Sequence, residues 1–225
     1  MKTESVQTYN SIFPVILIFF SLLISSDGFG QIESKIDSLK QVIDTAKHDT
    51  TLVNAYMEWD NIIYLSDPNL DLEINKKIEV ICSRNLQDPL DEIEEKLYQS
   101  SLSFVLRIIG NTYLSKENYA LATQYYTRSF NVYLQMGNGD GAAKCLNNLG
   151  VVYQDKGNLV KAIGYFNRSR KLFEKTKNDD GIATNLVNIG SIYFDQEDYK
   201  RANEYYVNSL VIFKKLKTKV ELQIA

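Results

Sequence analysis

At 225 residues, with 44% hydrophobic content and a mean hydropathy of −0.24, the chain has the composition of a soluble protein of one large or two small domains. A formal charge of −3 argues against a nucleic-acid or anionic-membrane partner, which would usually want a basic face. With 15 Tyr and only three Pro, the composition suits packed helices.

Residues 1–30 read as a secretory signal peptide. Lys2 opens a polar start and residues 12–24 form a nearly uninterrupted apolar run. About 13 apolar residues match a signal-peptide core and fall short of the ~20 needed to span a bilayer. Gly28 and Gly30 supply small residues at the expected cut before Gln31, and the absence of a cysteine just after it argues against a lipid anchor. The mature chain is expected outside the cytoplasm, periplasmic or secreted; the alternative is an uncleaved membrane anchor.

Residues 31–97 read as an irregular helical region. Residues 32–46 have the apolar spacing of an amphipathic helix. Residues 50–64 and 70–86 are expected to form a degenerate first repeat, with Ser66-Asp67-Pro68 as the turn between its helices. Trp59 is then a packed residue. His48 stands alone in a polar stretch and lacks the cluster that a metal site needs. Cys82 and Cys145 are read as separate buried thiols, although an oxidising address also permits a bridge between them.

From residue 98 to 217 the sequence repeats every 40 residues. Gly110, Gly150 and Gly190 are followed at fixed offsets by Tyr113, Tyr153 and Tyr193, and then by Asn118, Asn158 and Asp198. Ala122, Ala162 and Ala202 come next, then Tyr126, Phe166 and Tyr206, then Ser129, Ser169 and Ser209, and finally Tyr133, Phe173 and Phe213. Such a period defines units that bury their apolar faces only against neighbours. The units are about 98–137, 138–177 and 178–217, each predicted as two helices. In the second unit Asp140 is the expected N-cap of helix A, and Gly157-Asn158 ends that helix and caps helix B. Asp180 is the expected cap in the third unit. The small residues Gly150 and Ala162 are expected to let the two helices approach closely. Tyr125, Tyr165 and Tyr205 are read as packing between helices, with hydroxyls at the surface. Residues 216–219 look like a further turn and 220–225 like the opening of another helix A, which leaves the third helix B without a cap.

The combinations Ile109-Gly110-Tyr113-Ala122-Tyr126, Leu149-Gly150-Tyr153-Ala162-Phe166 and Ile189-Gly190-Tyr193-Ala202-Tyr206 closely resemble the tetratricopeptide repeat. The resemblance departs from the family's common 34-residue unit by six extra residues, and the family's proline near the end of the unit is absent. It implies an all-α fold, an α-solenoid of antiparallel helix pairs, whose A helices line a concave groove. The groove positions it implies are Arg107 and Asn111 in the first unit and Lys144, Asn147, Asn148 and Gln154 in the second, with Thr184, Asn188 and Phe194 in the third. Of the five positions of the family's carboxylate clamp, Arg107, Asn111 and Asn148 match; Thr184 and Asn188 replace two basic residues.

No catalytic or metal-binding residues and no cofactor are expected. Gly137-Asn138-Gly139-Asp140-Gly141 lacks the strand and lysine of a phosphate loop, and Asp179-Asp180 lacks the alternating ligands of a calcium loop. The expected function is a non-enzymatic scaffold that binds a protein or peptide segment. Its alternative, implied by the resemblance, is the sensory part of a longer membrane-bound regulator such as a histidine kinase, a cyclase or a transcriptional regulator. Self-association through the uncapped last repeat is a further expectation, and membrane contact is expected only through an anchor or a segment beyond residue 225.

Overall fold

The computed structural model describes residues 26–63 and 66–224, and the expected signal peptide lies almost wholly outside them. Every regular element among the described residues is an α-helix. The chain divides into two compact units between residues 62 and 63.

The first unit contains α1 (Ser26–Thr45) and α2 (Asp49–Ile63). Helix α1 covers the expected amphipathic segment and begins four residues before Gly30. Leu39 on α1 and Val53 and Ala55 on α2 are buried. Lys35 and Glu58 form an ion pair at 2.7 Å, and the Lys40 ammonium lies 5.8 Å from the centre of the Trp59 ring.

The second unit runs through α3 (Pro68–Asn85), α4 (Glu92–Ser115), α5 (Tyr119–Gln135), α6 (Gly139–Asp155), α7 (Leu159–Thr176), α8 (Asp179–Asp195) and α9 (Tyr199–Ile224). Each helix packs on the next. The A helices α4, α6 and α8 also touch one another in series, whereas the B helices α5, α7 and α9 do not. The A helices therefore form the inner layer of the solenoid.

The recurring residues explain this packing. A Cβ added to Gly110 would lie 2.6 Å from the Tyr126 ring, one on Gly150 would lie 2.5 Å from Phe166, and one on Gly190 would lie 2.8 Å from Tyr206. The glycine is thus a recess for the aromatic residue of its own helix B. A second recess joins consecutive repeats: Gly141 receives Tyr133 and Gly181 receives Phe173. A buried hydroxyl needs a partner, and each recurring serine finds one in helix A of its own repeat. Ser129 donates to Ser103 O at 2.6 Å, Ser169 to Ala143 O at 2.7 Å and Ser209 to Ala183 O at 3.1 Å. The tyrosine pairs Tyr113–Tyr125, Tyr153–Tyr165 and Tyr193–Tyr205 stack with ring centres 5.2–5.5 Å apart, as expected of packing residues.

Three expectations need correction or refinement. The caps of α6 and α8 are Asn138 and Asn178, which accept from Gly141 N and Gly181 N, and not Asp140 and Asp180. Asp140 instead accepts hydrogen bonds from Thr176 and Asn178 at the end of the next helix B. The turn expected at 216–219 is helical, because α9 continues unbroken to Ile224. Helix α3 is the structural counterpart of a helix B. Its cap Asp67 is followed at the repeat's offsets by buried Asp71, Asn75, Ile78 and Cys82, where α5 has Ala122, Tyr126, Ser129 and Tyr133. Cys82 and Cys145 are both buried and unbridged.

Candidate groove on the inner helices

The groove begins with residues one helical turn apart, which share a face of an α-helix. Arg107 and Asn111 sit so on α4, Lys144 and Asn148 on α6, and Thr184 and Asn188 on α8. Successive A helices are joined across this face by side-chain amides. Asn148 Nδ2 donates to Asn111 Oδ1 at 3.1 Å, and Asn188 Nδ2 donates to Asn147 Oδ1 at 2.8 Å. Tyr126 Oη also donates to Asn111 Oδ1 at 2.8 Å, so the helix B aromatic fixes the first amide of the row.

Arg107, Lys144, Asn147, Asn148 and Thr184 line one pocket of about 280 Å3, together with Phe173, Asn178, Asp180 and Gly181. Phe173 and Gly181 form its buried base, the recess between the second and third repeats. Two cations and one carboxylate share the lining with three amides. The Arg107 guanidinium lies 5.3 Å from the Phe104 ring, and its buried Nε has no hydrogen-bond partner. An arginine has five N–H donors and no acceptor, so the Arg107 guanidinium in the lining suits an oxygen ligand.

The remaining site residues fall elsewhere. Asn111 and Asn188 reach the pocket only through their bonded partners, and Gln154 does not line it. Phe194 is 54% exposed and packs edge-on against Tyr199 with ring centres 5.5 Å apart, beside the turn from α8 to α9. Asn178 and Asp180 are lining residues outside the groove positions expected from the sequence, where Asp180 was read only as a cap. Their signal was position: the start of α8 lies against the end of helix B before it. Among the described residues no group of three His, Cys, Asp or Glu is placed to hold a metal ion. No described helix is long and apolar enough to cross a membrane.

Helix pairs stacked in series, with an inner layer of A helices and an amide-lined groove, define a helical-repeat protein. The sequence profile of the tetratricopeptide repeat matches residues 101–175 and 142–215, just over half of the chain, and the protein belongs to that family. No curated protein sequence matches the chain significantly. Several solved structures share its fold. BtubC (BKLC) from P. vanneervenii is 15% identical with a TM-score of 0.63, over 82% of this chain and 74% of that one. Aspartyl phosphate phosphatase F from Bacillus subtilis is 14% identical with a TM-score of 0.69, over 85% of this chain and 50% of the phosphatase. MamA is 18% identical with a TM-score of 0.60, over 84% of this chain and 92% of MamA. The chain therefore spans only half the length of the phosphatase it resembles.

Proposed function

We propose that the inner face of α4, α6 and α8 binds an extended segment of another protein, and that it does so outside the cytoplasm. The observation that carries the binding is the Arg107 pocket. It combines the Arg107 guanidinium with the Lys144 ammonium, a row of amides and an apolar base. An amide donates and accepts at once, which matches a peptide backbone. The cations and Asp180 favour a ligand with carbonyl or carboxylate oxygens beside Arg107 and a donor beside Asp180. The apolar run at residues 12–24 supports the address.

The asparagines tie the A helices together, so the pocket is best tested at its cations. Peptides selected on the wild-type protein from a random display library are expected to bind at least about tenfold more weakly to R107A/K144A, roughly 1.4 kcal/mol or more. Equal affinity for both proteins overturns the groove assignment. Recovery of the mature protein in the cytoplasmic fraction of its source cells overturns the address.

A further inference from the structure

Two joints stack the three full repeats, α5 against α6 and α7 against α8, and they match at one end only. Toward the A-to-B turns, Tyr126 shares a buried cluster with Leu149 and Val152, and Phe166 shares one with Ile189 and Ile192. At the other end the first joint is apolar: Phe130 packs on Tyr133, Ala142 and Cys145. Forty residues on, Arg170 stands in the place of Phe130 and Asn185 in the place of Cys145. Asn185 is fully buried; its Nδ2 donates to Ser169 Oγ and Gly181 O, both at 2.9 Å, and its Oδ1 has no partner. Arg170 reaches Glu174 and Asn167 on its own helix, and its buried Nε has no partner. A buried polar atom without a partner costs stability that an apolar side chain does not. The turn differs as well: Gly137 supplies the left-handed residue of the first joint at φ 67°, and Lys177 that of the second at φ 59°.

All three differences weaken one end of one joint, and the pocket lies at that end. Its lining joins Phe173 on α7 and Asp180, Gly181 and Thr184 on α8 to Arg107 and Lys144 on the earlier A helices. Phe173 seated against Gly181, and Asn178 Nδ2 bonded to Asp140 at 2.9 Å, close this end without locking it. The Asn188–Asn147 bond lies beside Ile189, at the apolar end. Joints in a helical array are nearly independent, so one opens while its neighbours hold. We propose that α8 and α9 pivot together about the Phe166 end of the second joint, and that a ligand in the groove holds the joint closed. The pivot stands on the joint alone; the ligand's part in it rests on the binding reading above. A segment that touches Lys144 and the start of α8 at once fits the closed form only, and differential affinity of that kind is what shifts a population.

Labelling of the full chain with N-ethylmaleimide, mapped by mass spectrometry, tests the pivot. S169C puts a thiol in the second joint, and native Cys145 reports on the first joint in the same molecule. The S169C thiol is expected to react at least about tenfold faster than Cys145. S209C reports on melting of the third repeat, because Ser209 is buried on α9 and bonded to Ala183 O. Its thiol is expected to react at least about tenfold more slowly than that of S169C. R170F/N185V installs the residues of the first repeat, Phe130 and Val105, at the second joint. It is expected to slow the S169C thiol at least about tenfold, with unchanged helical circular dichroism. K177G, at an exposed position, is expected to slow it about two- to fivefold. A peptide selected on the wild-type protein, at about 100 times its dissociation constant, is expected to slow it about a hundredfold. A rate equal to that of Cys145 overturns the pivot, as does one that neither R170F/N185V nor K177G changes. Equal rates for S169C and S209C mean that the third repeat melts whole, which also overturns it. A peptide that binds without slowing the S169C thiol overturns the coupling. Peptides that bind R107A/K144A equally strike the groove reading and leave the free-protein rates to decide the pivot.

Discussion

Phe166 is fully buried, and its ring lies directly over Gly150. A methyl group at 2.5 Å from its ring must displace the ring or part α6 from α7. Overpacking of this kind costs about 1–3 kcal/mol, more than the ~1 kcal/mol that alanine gains over glycine inside a helix. Gly150→Ala is therefore expected to lower the urea midpoint clearly. The same change at Gly190 should cost less, because Tyr206 is only half-buried and the nearest ring atom is 2.8 Å away. Gly164 is the control: it lies inside α7 with nothing within 4 Å of an added Cβ, so Gly164→Ala should stabilise by about 1 kcal/mol. An effect of the same sign at all three positions would refute the recess. The close approach of helices A and B was legible in the sequence, because glycine and the bulky ring recur together. That the ring sits in the recess was not, since spacing alone does not orient a side chain.

At the scale of an element, the 40-residue sequence period hides a 20-residue structural one. Every turn from α4 to α9 closes with the same backbone bond, from Asn118, Asn138, Asn158, Asn178 and Asp198 N to Tyr113, Tyr133, Tyr153, Phe173 and Tyr193 O, at 2.8–2.9 Å. Each turn passes through a left-handed residue just before the cap: Glu117, Gly137, Gly157, Lys177 and Glu197, with φ between 55° and 73°. Five equal turns were invisible because only two of those residues are glycine. The acidic residues Asp140 and Asp180 also drew the cap two residues too far along. Left-handed backbone costs a side chain about 1 kcal/mol that glycine avoids. Glu117→Gly, Lys177→Gly and Glu197→Gly are each expected to raise stability by roughly 0.5–1 kcal/mol in thermal or urea unfolding, slightly less than the relieved strain because glycine adds freedom to the unfolded chain. A loss of stability at all three would mean that the side chains contribute more than the backbone strains.

For the whole molecule, what the period could not reveal was the chemistry that replaces it at the edges. Helix α3 keeps the helix B register while Asp71 and Asn75 occupy the places of alanine and tyrosine, bonded to each other at 3.3 Å, so a search for aromatics passes over it. Helix α9 keeps the motif and adds valines outside it. Within the array, the core has an alkaline limit. Burial pushes the Cys145 thiol from its ordinary 9.0 up to about 11, and burial likewise raises the Tyr126 phenol above its ordinary 10.0. Burial holds both protonated in the fold, and Tyr126 also donates to Asn111. A folded-state pKa above the unfolded one means that the unfolded chain loses its proton first. The stability is therefore complete below about pH 9, falls as the unfolded thiol and then the phenol ionise, and stops falling on the thiol's account near pH 11. The thiol accounts for roughly 2–3 kcal/mol of that loss by linkage. Melting temperatures measured from pH 7 to 11 should be flat at first and then decline above 9. Cys145→Ala should start lower, from the lost volume, yet decline less steeply. Tyr126→Phe should start about 1 kcal/mol lower, for the lost bond to Asn111, and be flatter above pH 10. Parallel declines in all three proteins would place the alkaline limit outside this core.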